Sequence, residues 1–146
     1  MNVPSVDVLG IHITEPFTWI TNWMVAAFSF YFGHILFRDK LADTAQKFWA
    51  IFFLFIGFAS ITGGTAHGFI TYVGRNFHYA AWILTGVGIF AAEMAAIQLI
   101  ENEKVKSIVR LVVYVQLMLM TSSVMYMHNF NSVRINSALG LVGVVM

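Results

Sequence analysis

Four separate stretches of this chain are apolar for about twenty residues each, at residues 18–37, 48–70, 77–100 and 105–127. That length fixes the class, because a helix needs about 20 apolar residues to cross the roughly 30 Å hydrocarbon layer of a bilayer. Charged residues make up 10% of the chain, against about a quarter in soluble domains. The mean hydropathy of +0.77 agrees. The expectation is an all-α integral membrane helical bundle forming one domain over residues 1–146. Glu15-Pro16 opens the first span, with proline suited to a first helical turn.

A fifth apolar stretch, residues 135–146, supplies only about twelve residues, too few to span. We read it as a cut-short fifth helix and the sequence as a fragment of a longer, seven-span protein. A short packed or re-entrant helix is the alternative. The N-terminal stretch "MNVPSVDVLGIHITEP" has no basic region and no cleavage site, so it is not read as a signal peptide.

Lysine and arginine set the expected orientation. The N-terminal tail has none. The successive connections carry Arg38, Lys40 and Lys47, then Arg75, then Lys104, Lys106 and Arg110, then Arg134. The series 0, 3, 1, 3, 1 alternates, which places the N-terminus outside the cell membrane, with the loops at Arg75 and Asn129. Net charge is +1 and there is no basic tract, so nucleic acid is not an expected partner. Membrane lipids are, and other membrane proteins are candidates. The chain has no cysteine, so thiolate metal sites and cysteine nucleophiles are excluded.

Intramembrane polar residues are costly, so their depth is informative. Glu15, Thr18, Thr21 and Asn22 begin span one, and Ser60, Thr62, Thr65 and His67 end span two. His78, Trp82 and Thr85 begin span three, and Ser122, Ser123, Tyr126 and His128 end span four. All fall at the outer end. Asn22, Ala26, Ser29 and Gly33 share one helix face, as do Gly57, Ser60, Gly64 and His67. Such stripes of small residues let helices approach closely. For the glycines, packing is a sufficient account. A histidine at the end of the stripe is not required by packing. His67 is read either as a structural hydrogen-bonding residue or as a metal ligand, with His78, His128, Glu15 and His12 as partners on the same side. No HxxxH or HExxH pair occurs.

A second polar set, His34, Glu93, Gln98 and Arg110, lies toward the other face. Glu93 sits about 24 Å along span three, at a depth comparable with Arg110. The expectation there is a Glu93–Arg110 ion pair that fixes helix register, with a proton relay as the alternative. Met118, Met120, Met125 and Met127 are expected to face lipid or to fill gaps.

The segments "TEPFTWITNWMVAAFSFYFG" and "LFIGFASITGGTAHGF" resemble a family of uncharacterised bacterial multipass membrane proteins with a GGxxHG signature. That family is distantly similar to the seven-span superfamily of alkaline ceramidases, progestin and adipoQ receptors and Per1-like proteins. The resemblance covers roughly residues 14–95. It implies a zinc site with His67 as ligand. Glu15, Asn22 and a serine before the histidine would orient water or substrate. This chain departs from the pattern in three places. The usual serine position is Gly63, so Ser60 or Thr62 would have to substitute, and the usual acidic position at the start of span three falls near His78. The two further histidine ligands implied on a last span have no counterpart within residues 1–146.

Three functions compete. A zinc-dependent hydrolase of lipid amides or esters would use Glu15, Asn22, Ser60 and Thr62 as catalytic residues and His67 and His78 as metal ligands. A non-enzymatic accessory subunit of a membrane complex would need only the glycine seams. Haem electron transfer would need axial ligands at matching depth, with His67 and His128 the available pair.

Overall fold

The computed structural model describes residues 4–39, 43–128 and 130–145. Lys40, Asn129 and Met146, used in the topology and length arguments above, lie outside the described residues. The expected all-α bundle is what forms. Its helices are α1 (Pro16–Arg38), α2 (Thr44–Gly68), α3 (Ile70–Val73), α4 (Asn76–Ile97), α5 (Glu103–Met127) and α6 (Phe130–Val145). Four of them, α1, α2, α4 and α5, are long and apolar enough to cross a membrane. The chain is a multipass membrane protein.

A small hairpin precedes the bundle. Strands β1 (Ser5–Val8) and β2 (Ile11–Thr14) pair antiparallel, with Val6 opposite Ile13 and Asp7 opposite His12. The two-residue turn, Leu9-Gly10, has positive φ at both positions, 52° and 81°. That is the geometry that matches strand twist in a tight hairpin. Leucine is a poor residue for it, which is why the turn does not stand out in the sequence.

The long helices end where local chemistry stops them. The Asp43 carboxylate accepts the Gln46 backbone N–H and caps α2, and the Asn102 side chain accepts those of Lys104 and Val105 and caps α5. The second span is interrupted at Phe69, and the single turn α3 carries the chain on to Gly74, which has φ 71°. The sixteen residues of α6 rise about 24 Å, and the helix starts five residues earlier than the sequence pattern suggests.

Helix α2 packs against α1 and α4, and α4 packs in turn against α5 and α6. Both small-residue stripes are seams. Ala26, Ser29 and Gly33 of α1 are buried, as are Gly57, Ser60 and Gly64 of α2. Phe30 lies over Gly57, and Trp19 lies over Gly68. Away from these seams the apolar side chains of α1 and α5 are exposed, Phe17 and Leu111 among them, as suits lipid contact. Met118, Met125 and Met127 are exposed too, whereas Met120 is buried against Gly86.

The expected Glu93–Arg110 ion pair does not form. The Glu93 carboxylate instead accepts a hydrogen bond from Gln116 Nε2 at 2.8 Å. The reason is register. Met94, Ile97 and Val113 share an apolar cluster with Val109 against it, and Met120 fills the space at Gly86. This pairing brings Gln116, not Arg110, level with Glu93. The Arg110 Nε is buried without a hydrogen-bond partner among the described residues.

Candidate functional site

The hairpin, the end of α2, α3 and the start of α4 meet at one end of the bundle. Thr14, the last residue of β2, donates its hydroxyl to the carbonyls of His67 and Gly68. The His12 backbone N–H donates to the Tyr72 hydroxyl at 3.0 Å. These bonds fasten the hairpin across the end of α2. Glu15 follows directly, in the left-handed region with φ 47° and ψ 55°, and its N–H donates to the Pro4 carbonyl at 2.8 Å. A non-glycine residue in that region is uncommon and costs free energy, and such residues cluster at functional sites.

The consequence is a carboxylate–imidazole contact between α1 and α2. Glu15 Oε2 stands 3.0 Å from His67 Nδ1, with both side chains about one-third exposed. His78, in the first turn of α4, sets its ring edge-on to His67 at a centroid distance of 4.9 Å and an angle of 86°. Three chain-distant side chains thus meet, each held by a different element. A carboxylate on one imidazole nitrogen fixes the tautomer and leaves the other nitrogen to accept a proton or bind a metal.

His67 and His78 border a cavity of about 200 Å³ whose other polar walls are Asn22, Ser60 and Thr85. A wider cavity of about 420 Å³ continues from them past Arg75 and Tyr79 to His128. The Asn22 amide donates to the Thr18 carbonyl at 2.8 Å, which holds the side chain against α1. Ser60 is buried at 8% exposure.

Five of the six residues singled out in the sequence therefore come together: Glu15, Asn22, Ser60, His67 and His78. Thr62 does not join them. Its hydroxyl returns to the Phe58 and Ala59 carbonyls of its own helix, and it is not part of the cavity wall. Two further histidines lie at this end, outside the Glu15–His67–His78 contact. His12 pairs with Asp7 at 2.8 Å on the hairpin, and His128 lines the far part of the wider cavity with its ring tilted 46° against Tyr79. Two contributors were not legible beforehand. Phe130 of α6 walls both cavities from a segment with no motif, and Thr14 acts through a hairpin that had no turn signature.

Among the described residues, no three histidine, aspartate or glutamate side chains are grouped so as to hold a metal ion. His67 and His78 supply two imidazoles, while Glu15 is turned to Nδ1 of His67, the place of a supporting carboxylate.

A bundle of membrane-length helices with a polar, histidine-bearing cavity at one end defines a multipass membrane protein with a candidate site inside it. The chain belongs to DUF6962, a family of unknown function, which it matches over residues 17–146. No curated protein and no solved structure matches it.

Proposed function

We propose that the chain is a membrane-embedded hydrolase acting on lipid amides or esters. The observation that carries the reading is the Glu15–His67 contact at the wall of a polar cavity. With Glu15 on Nδ1, Nε2 of His67 is the free base that takes a proton from an attacking water. His67 then returns that proton to the leaving group, and His78, its ring edge-on to His67 at a centroid distance of 4.9 Å, packs the imidazole in place. Asn22 and Ser60 are polar groups suited to holding the substrate carbonyl, whereas the Thr85 hydroxyl is spent on the Ala81 carbonyl of its own helix. The resemblance to alkaline ceramidases supports the same substrate class. Purified protein in vesicles is expected to release free fatty acid from an acyl-ester or acyl-amide lipid in proportion to protein added. Release no greater than from empty vesicles, across phospholipids, glycerides and ceramides, sinks the proposal.

Zinc is a second reading, favoured because a carboxylate on the far nitrogen is the usual support of a metal-bound histidine. A catalytic zinc takes three protein ligands. The residues grouped here offer two imidazoles, so they do not complete that site, and no step is routed through zinc. If zinc is held, His67 and His78 are its ligands, and His67→Ala lowers the zinc content of the purified protein. The non-enzymatic alternative, an accessory subunit of a membrane complex, requires instead a fixed partner that co-purifies with wild type and with His67→Ala alike.

The positive-charge series supports an N-terminus outside the cell membrane. The chain has no cysteine, so single cysteines report cleanly. Leu9→Cys, at the 99% exposed hairpin tip, is expected to react with a membrane-impermeant maleimide on intact cells, and Glu101→Cys only after lysis. The reverse pattern inverts the topology.

A further inference from the structure

A second polar cluster lies far from the histidines, among α4, α5 and α6. Glu93 and Asn136 are buried, at 6% and 4% exposure. Gln116 Nε2 donates to Glu93 Oε1 at 2.8 Å and to Asn136 Oδ1 at 3.2 Å, and stands 3.5 Å from the Asn136 backbone carbonyl. Gln116 lies near the middle of the membrane-length α5.

Two arguments bear on the state of the Glu93 carboxyl. The first is charge. An unpaired carboxylate in hydrocarbon is prohibitively costly unless a cation balances it. No basic side chain lies within 4 Å of Glu93, since the salt bridges among the described residues all lie elsewhere. The surroundings offer little. Between Lys47 and His67, α2 has no titratable side chain. On α5, Arg110 is six positions before Gln116, about 9 Å along the helix, and Tyr114 is turned to Phe90. On α6, Arg134 is exposed, as is His34 on α1. Gly140 packs against Glu93 and adds no charge. The second argument is donor supply. One amide with two hydrogens is shared among Glu93 Oε1 and the two Asn136 oxygens, so Gln116 neutralises no charge and gives the carboxyl a single hydrogen bond. A hydrogen on the carboxyl removes the charge while Oε1 keeps the Gln116 hydrogen bond, and the cavity that Glu93 lines gives the new O–H room to donate to water.

Two cavities adjoin the cluster. One, of about 360 Å³, is walled by Glu93 and by Leu99 and Ile100 of the α4–α5 connection. The other, of about 420 Å³, is walled by Gln116 and Asn136 and runs toward Ser123 and Ser132. The carboxyl faces the first, and its amide partners face the second.

We propose that Glu93, Gln116 and Asn136 form an intramembrane proton-binding site, loaded from the end of the bundle that carries the 98–102 connection. Glu93 takes its proton from a hydronium ion at the mouth of the first cavity, leaving water, and returns it to water there. Gln116 and Asn136 hold the neutral carboxyl in place. This site is independent of the hydrolase reading.

The test is infrared spectroscopy of the full chain in lipid nanodiscs, with Glu93→Gln as control. Wild type is expected to show a protonated-carboxyl C=O band at neutral pH that shifts in D2O and is absent from Glu93→Gln. Raising the pH should convert it to carboxylate bands. Relative to Glu93→Gln, the melting temperature of wild type should fall by roughly 3–5 °C per pH unit while the folded carboxyl stays protonated, and level off once it ionises. Gln116→Leu keeps the carboxyl, and its band should move to higher frequency as the hydrogen bond is lost. If Glu93→Gln does not fold, the pH and D2O response of the wild-type band still decides. The proposal is overturned by carboxylate bands alone at every pH where the protein is folded. A band indifferent to D2O and bulk pH, or a melting-temperature gap constant across the neutral pH range where the protonated band is present, overturns it equally.

Discussion

His67→Ala is expected to lower lipid hydrolysis by about 10²–10⁴-fold, the usual contribution of a positioned acid–base group, while leaving the protein folded. The fold should survive because His67 makes its tertiary contacts from the last turn of α2, with its side chain about one-third exposed. The hairpin is fastened to the His67 and Gly68 backbone carbonyls, which alanine retains. Glu15→Gln tests the same unit from the other side. It keeps the shape of the side chain but removes the charge that stabilises the imidazolium forming as His67 takes a proton. Fatty-acid release measured beside a gel-filtration profile separates loss of chemistry from loss of fold.

The second large effect is structural. Gly64→Leu is expected to break the α1–α2 seam, whereas Gly63→Ala should be tolerated. The two glycines are adjacent in the sequence and opposite in surroundings. A Cβ on Gly64 would lie 2.9 Å from the Asn22 Cβ and 3.2 Å from the Trp19 backbone carbonyl, and backbone cannot swing away. A Cβ on Gly63 would meet only the Ala81 Cβ at 3.6 Å, an ordinary contact. Forcing methyl groups into a packed seam costs about 1–3 kcal/mol, and more for a whole leucine side chain. In a helix interior, glycine to alanine gains roughly 0.5–1 kcal/mol where space allows. Melting in detergent should therefore show Gly64→Leu well below wild type and Gly63→Ala level with or above it. Equal destabilisation of both would contradict the packing account. Because Asn22 lines the cavity, Gly64→Leu should also depress hydrolysis.

The membrane-spanning helices were legible because lipid imposes a length that sequence cannot hide. The seams were legible for a related reason. Asn22, Ala26, Ser29 and Gly33 recur at helical spacing, and in an otherwise bulky helix only one face is small. Depth alone also placed Glu15, His67 and His78 at one end. What depth cannot give is contact. Glu15 and His67 are far apart in the sequence, and their 3.0 Å approach depends on a hairpin whose turn residue is leucine rather than asparagine. Thr62 shares the depth of the site, yet its hydroxyl is spent on its own helix. Glu93 illustrates the same limit. Its depth matched Arg110, but the packing register of α4 on α5 gave it Gln116. Helix register is decided by how methyl groups interlock, and charge spacing along two helices does not encode that.

The central claim is that Glu15 and His67 act as one catalytic unit. A double-mutant cycle on fatty-acid release from vesicles tests it most directly, with wild type, Glu15→Gln, His67→Ala and the double variant measured under one condition. The account predicts that the double variant is no slower than His67→Ala, because the carboxylate acts only through the imidazole. Losses that multiply across the two substitutions, or wild-type release no faster than that of His67→Ala, would contradict it.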